Sequence, residues 1–197
     1  MSDAILVFTF SPVQSYIAEV RRAADLFTGS RILVLLARAS AEAIINAGGT
    51  MIYPASLTGD VPNKLLASVP WEQAESVAEL AKNALIAKWK EIAREALNQL
   101  RGKTPTPDEE WHKIWNRQVD HQWEIHWAAA ALENQTYPQA FDAANRALES
   151  AKRLRAFEPS EEDGVKDTLS GRRSALRNNK PSAKDYWTQI ARQVVSA

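Results

Sequence analysis

The chain is 197 residues long and 45% hydrophobic, and its 24 lysines and arginines balance 24 aspartates and glutamates. That length can bury a core and that composition excludes wholesale disorder, while zero net charge lacks the basic excess by which a protein grips nucleic acid unaided. It has no cysteine, which excludes disulfides, thiolate catalysis and cysteine-ligated zinc together.

The N-terminus carries no basic n-region and reaches Ser11-Pro12 too early for a signal peptide. Residues 32–37, the longest apolar run, are too few to span a bilayer, so a soluble cytoplasmic protein is expected. Residues 4–10 are apolar and rich in β-formers, which predicts a buried strand. Val13, Tyr16, Ile17, Val20, Ala24 and Phe27 then recur at helical spacing, with Pro12 suited to the first turn. Thr28-Gly29-Ser30 is read as the break before a second helix over 31–46, capped by Ser30 and ended by Gly48-Gly49. Two short strands follow at 50–53 and 63–69, then a long helix over 71–100 whose apolar stripe Lys88 interrupts.

A break at 102–107 leads to a short helix, 108–116, carrying Trp111 and Trp115 one turn apart, a pair that can form an exposed patch for a protein partner. Residues 122–128 alternate, Trp123, Ile125 and Trp127 against Gln122, Glu124 and His126, as a strand with one buried face does. An amphipathic helix over 141–157, an acidic loop over 158–163, a basic irregular stretch and a last helix over 183–195 complete the chain.

This order predicts an α+β fold: a ferredoxin-like, split βαβ antiparallel sheet of palm or cyclase type, helices on one face, with inserted helices and a C-terminal helical extension. Residues 1–157 would form the first palm-like domain, with a helical insertion at about 101–118. Residues 158–197 would form a basic linker with a terminal helix.

The stretch from Phe10-Ser11-Pro12-Val13-Gln14 through Arg21-Arg22 and Asp25-Leu26-Phe27 to Gly29-Ser30 resembles the opening of the large, cyclase-like subunit of type III-B (Cmr) CRISPR RNA-guided complexes. Ile52-Tyr53-Pro54, the run from Val61-Pro62-Asn63-Lys64 to Ala67, the aromatic strand from Trp123, and the helix end Ala151-Lys152-Arg153 to Phe157 resemble later segments of that family, in its order. The resemblance implies a palm domain that docks on a catalytic palm and on other Cmr subunits, with guide and target RNA contacted indirectly and ATP bound between the two palms of the assembled subunit. It implies no membrane partner. The isolated piece would expose its docking face, so a homodimer is a reasonable expectation.

The departures limit the activity to expect. That family carries a zinc turn of the type Lys-Cys-x-x-Cys-Gly, and here the matching residues are Lys166-Asp167-Thr168-Leu169-Ser170-Gly171, so no zinc is expected and hydrogen bonds would have to shape the turn. The cyclase activity, which makes cyclic oligoadenylate, lies in a palm with a Gly-Gly-Asp-Asp turn. Gly48-Gly49 is followed by Thr50-Met51, and the family's His-Asp nuclease motif does not occur. The chain is therefore expected to be non-catalytic and to hold no cofactor alone.

Ser11, Pro12, Val13 and Gln14 join a strand to a helix start, where Ser11 reads as a helix cap or, under the resemblance, as part of a nucleotide-pocket wall with Arg21. Arg21 can equally pair with Asp25. Arg172, Arg173, Arg177 and Lys180, in the basic stretch, can meet RNA or a partner, or lie on a solvated face. His112, His121 and His126 are too scattered to share a metal, and none is expected. The competing readings are a free-standing cyclase, which the missing carboxylates oppose, and a free-standing RNA-binding or protein-interaction module, whose RNA form would need exposed sheet aromatics.

Overall fold

The computed structural model describes residues 3–18, 22–100, 102, 104–153, 162, 164–168, 170–180 and 182–195. Strand β1 (Asp3–Ser11) is followed by helices α1 (Gln14–Ala18) and α2 (Ala23–Asn46), strands β2 (Thr50–Tyr53) and β3 (Lys64–Pro70), and helices α3 (Ala74–Leu100) and α4 (Glu109–Asp120). Strand β4 (Glu124–Ala131) and helices α5 (Tyr137–Arg153) and α6 (Ala183–Val195) complete the order.

The four strands form one antiparallel sheet in the order β2-β3-β1-β4. Because β3 is antiparallel to both β1 and β2, those two run parallel with β3 between them, and α2 makes the crossover. The predicted α+β sheet is observed, with strands within three residues of their expected limits.

β1 explains the arrangement. Residues along it face opposite sides in turn, and Ala4, Leu6, Phe8 and Phe10 enter a core with Leu36 and Ile44 of α2 and Val77 and Leu85 of α3. Ile5 and Val7 enter a second core with Ala140, Ala144 and Leu148 of α5. A strand covered on both faces has to be continuously apolar, and each full burial of a large side chain contributes about 1.5–3 kcal/mol. The expectation of helices on one face only is therefore corrected: α5 covers the second. Its small residues Ala140 and Ala144 let the helix approach the sheet closely, beside Ala128 of β4.

The break expected at Thr28-Gly29-Ser30 is also corrected. α2 runs through it, Gly29 is buried, and Ser30 is mid-helix rather than a cap. A Cβ on Gly29 would lie 3.6 Å from the Tyr16 ring. That is ordinary contact, so the helix continues through Gly29 although glycine costs roughly 1 kcal/mol inside a helix. Against α3, α2 presents Ala37, Ala41 and the buried Ser40, whose hydroxyl donates to the Ala81 carbonyl at 3.1 Å.

Trp111 and Trp115 do not form the expected exposed patch. Trp111 is 3% exposed, stacks on Trp115 at 5.2 Å, and packs with Tyr186 and Ile190 of α6. The tryptophans of α4 are thus covered by the chain's own last helix.

Candidate functional site

α4 is the element on which the C-terminal stretch is built. Asp108 caps it, accepting from the Trp111 N–H at 3.0 Å and, from the returning chain, the Asn179 N–H at 2.8 Å. Asn178 closes the strap by donating to the Thr106 carbonyl at 2.8 Å. The Trp111 N–H first, with the Asn179 and Glu110 N–H groups and Arg177 beside it, holds the Asp108 carboxyl below the usual carboxylate range. One turn from the other end of α4, Gln118 donates to the Glu162 carboxylate and to the Ser174 carbonyl, both at 2.8 Å. Glu162 also accepts the Ser174 N–H at 2.5 Å and faces Arg117 at 3.4 Å. Burial pushes the Glu162 carboxyl up, but Ser174, Gln118 and Arg117 together hold it below its ordinary value.

Between these anchors lies a small hairpin. Lys166 pairs with Ser174, and the Ala175 N–H reaches the Val165 carbonyl at 2.8 Å. At its turn the Asp167 carboxylate accepts the Ser170 N–H at 2.6 Å, the Ser170 hydroxyl at 2.5 Å and the Arg173 N–H at 3.2 Å. The Ser170 hydroxyl oxygen also lies 3.0 Å from the Arg172 N–H and 3.2 Å from that of Arg173. Gly171 follows at φ +68°, in the left-handed region that glycine enters without strain. These two positions match the paired thiolates of the zinc turn that the sequence resembles. Their oxygens meet in a direct hydrogen bond and leave no room for a metal between them, and the residues do not fit a zinc ion.

The hairpin closes one side of a two-lobed cleft. The inner lobe, about 350 Å³, has Tyr16 of α1, Trp89 of α3 and Trp115 of α4 as aromatic walls, with Gln118, Gln122 and Arg173 among its polar lining. The outer lobe, about 480 Å³, shares Tyr16, Gln118 and Arg173 and adds Asp25, Thr28, Asp167 and Trp187. The walls are held in place: the Trp89 indole N–H donates to the Val119 carbonyl at 2.9 Å, and Tyr16 and Trp89 both pack on Trp123.

The residues anticipated from sequence are divided among different environments. Ser11 ends β1 opposite Glu124 and is half-buried, and the first carbonyl of α1 is that of Val13, so Ser11 is not the cap. Pro12 and Val13 are half-buried and Gln14 is exposed. Arg21 lies outside the described residues. Arg172 and Lys180 are exposed. Arg173 donates to the Gln122 Oε1 at 2.7 Å, and Arg177 donates to the Asn178 carbonyl and lies 3.7 Å from Glu110. Two of the four basic residues are thus engaged inside the fold. His126 lies 3.8 Å from Glu124, and among the described residues no group of three or more metal-ligating side chains occurs.

Sequence reasoning placed Gln122 on the polar face of a strand, and it missed Tyr16, Trp89 and Gln118 as wall residues. Gln122 instead precedes β4 and is 6% exposed. The Gln118–Gln122 spacing among tryptophans was the available signal, but it gains meaning only once Arg173 is brought beside it. On the first turns of α2, next in sequence to Asp25 and Thr28, Leu26 and Phe27 are 45% and 82% exposed.

Residues 5–94, from β1 through most of α3, match the family model of the CRISPR-associated protein Cmr2, N-terminal. No curated protein matches the chain. No helix among the described residues is long and apolar enough to cross a membrane.

Proposed function

We propose that this chain, which over residues 5–94 belongs to the family of N-terminal regions of the CRISPR-associated protein Cmr2, serves as a non-catalytic, ferredoxin-like palm domain. It docks on the catalytic palm of the large subunit of a type III-B complex and on neighbouring Cmr subunits. The family match carries this reading. The split order of the sheet, with β1 and β2 parallel on either side of β3, supports the palm assignment, to which α5 adds a second layer. Gly48-Gly49 argues against cyclase chemistry in this chain: the Gly49 N–H bonds the Ile44 carbonyl at 2.9 Å, so the pair ends α2 and is not a metal-binding turn between strands.

Leu26 and Phe27 support docking, because two adjacent, well-exposed apolar side chains on a helix suit a protein partner. In the assembled subunit Ser11, Pro12, Val13 and Gln14 contribute a wall to an ATP site, with Arg21 nearby in sequence. Arg172 and Lys180 meet RNA or a partner chain. The free-standing RNA-binding alternative is weaker, since α5 occupies the sheet face that such a module leaves open.

Size-exclusion chromatography of the chain mixed with the catalytic palm and the other Cmr subunits tests the reading. Co-elution is expected, and Leu26→Ser with Phe27→Ser should abolish it without lowering the melting temperature. Separate elution of the wild-type chain would overturn docking. Calorimetry on the same mixture should show ATP binding that Ser11→Ala or Gln14→Ala weakens; unchanged binding would remove the turn from the nucleotide site.

A further inference from the structure

The geometry points to a nucleoside-binding site in the two-lobed cleft between α1, α2, α3, α4 and the C-terminal hairpin. The inference stands on the cleft itself and not on the docking reading above. Its first support is an unpaired donor. Arg173 can only donate, so the Gln122 atom that it meets at 2.7 Å is the amide oxygen, and the amide Nε2 faces elsewhere. That Nε2 is buried and has no partner within the protein. The buried indole N–H of Trp123, which packs on Tyr16 and Trp89, has none either. Buried donors require acceptors, and both of these adjoin the inner lobe or its walls.

The second support is the shape and chemistry of the two lobes. Tyr16, Trp89 and Trp115 give the inner lobe flat apolar surfaces, and its volume of about 350 Å³ suits a small planar ring. An aromatic heterocycle with ring nitrogens or carbonyls on its edge satisfies both the walls and the Gln122 donor. The outer lobe is different: it holds Asp25, whose half-buried carboxylate makes no hydrogen bond or ion pair within the described structure, beside Thr28. A carboxylate accepts hydroxyl donors and repels anions, so this lobe suits a sugar better than a phosphate. Base inside and ribose outside is a nucleoside without its phosphates.

Titration of the chain with adenosine, guanosine and uridine, followed by calorimetry and tryptophan fluorescence, tests the assignment, with ribose and indole alone as controls. At least one nucleoside should bind saturably, and ribose alone should not. Gln122→Glu keeps the Arg173 contact but replaces the donor with an acceptor, so it should weaken binding roughly tenfold or more. Should that variant not fold, Thr28→Trp, which fills the mouth of the outer lobe from an exposed position, should abolish binding at an unchanged melting temperature. No saturable binding of any of the three nucleosides, or equal binding by Gln122→Glu or by folded Thr28→Trp, would overturn the site. A crystal grown with the tightest-binding nucleoside and showing only water in the cleft would do the same.

Discussion

The Asp167 carboxylate and the Ser170 hydroxyl meet at 2.5 Å across the turn of the C-terminal hairpin. Each also accepts backbone N–H groups from the residues that follow, so a carboxylate–hydroxyl contact organises a turn that thiolates and a metal organise in the family it resembles. The two solutions share a logic: a pair of acceptors three residues apart gathers the N–H groups of a tight loop. They differ in what can dissolve them.

Removing the acceptor should therefore open the hairpin where removing a metal should not. Asp167→Ala leaves the Ser170 N–H without its partner and the Arg173 N–H with the Ser170 hydroxyl oxygen alone, and the loss should be about 1–3 kcal/mol. Hydrogen exchange at Arg173 and Ser174 should accelerate, and addition of a metal chelator to the wild type should leave the melting curve unchanged. A chelator-induced fall in melting temperature would contradict this account.

Acid should release the hairpin from α4. The Glu162 carboxyl is held below its ordinary value in the folded chain, so its contribution is present at neutral pH and is lost as pH falls through that lowered value. Exchange of the Ser174 amide should rise as pH falls below the usual carboxylate range. Glu162→Gln should destabilise the hairpin at neutral pH and flatten that acid dependence. An equally steep acid transition in the variant would assign it to another group.

Gly29 offers a test of the continuous α2. A methyl group there would rest in ordinary contact with the Tyr16 ring at 3.6 Å. Gly29→Ala should accordingly be neutral or raise stability by up to about 1 kcal/mol, as alanine gains over glycine inside a helix. Gly29→Phe should instead displace Tyr16 and lower the melting temperature. If alanine destabilised the protein strongly, Tyr16 would have to pack closer to Gly29 than ordinary contact allows.

The second sheet face can be probed at Leu148 of α5, which is fully buried against the sheet. Leu148→Ala should cost about 2–5 kcal/mol in urea unfolding. A loss under 1 kcal/mol, the scale of an exposed leucine, would mean that α5 does not seal that face.

The sequence by itself determined the local elements. The β-formers over residues 4–10 read as a buried strand, residues 108–116 as a short helix, and the alternation around Trp123 fixes which residues face one core. It also shows that residues 166–171 carry no thiolate, which excludes cysteine-ligated zinc there. Only the tertiary structure decided what covers what. Amphipathicity says that α5 and α6 bury a face but not against which partner, so neither the second layer on β1 nor the covering of Trp111 could be read in advance. Gly29 is a breaker by local propensity and a contact point by packing, and packing prevails because the neighbouring helix supplies more than the propensity removes. Gln122 is polar in any pattern. It became a buried, half-satisfied amide only when a hairpin some 50 residues later carried Arg173 to its oxygen.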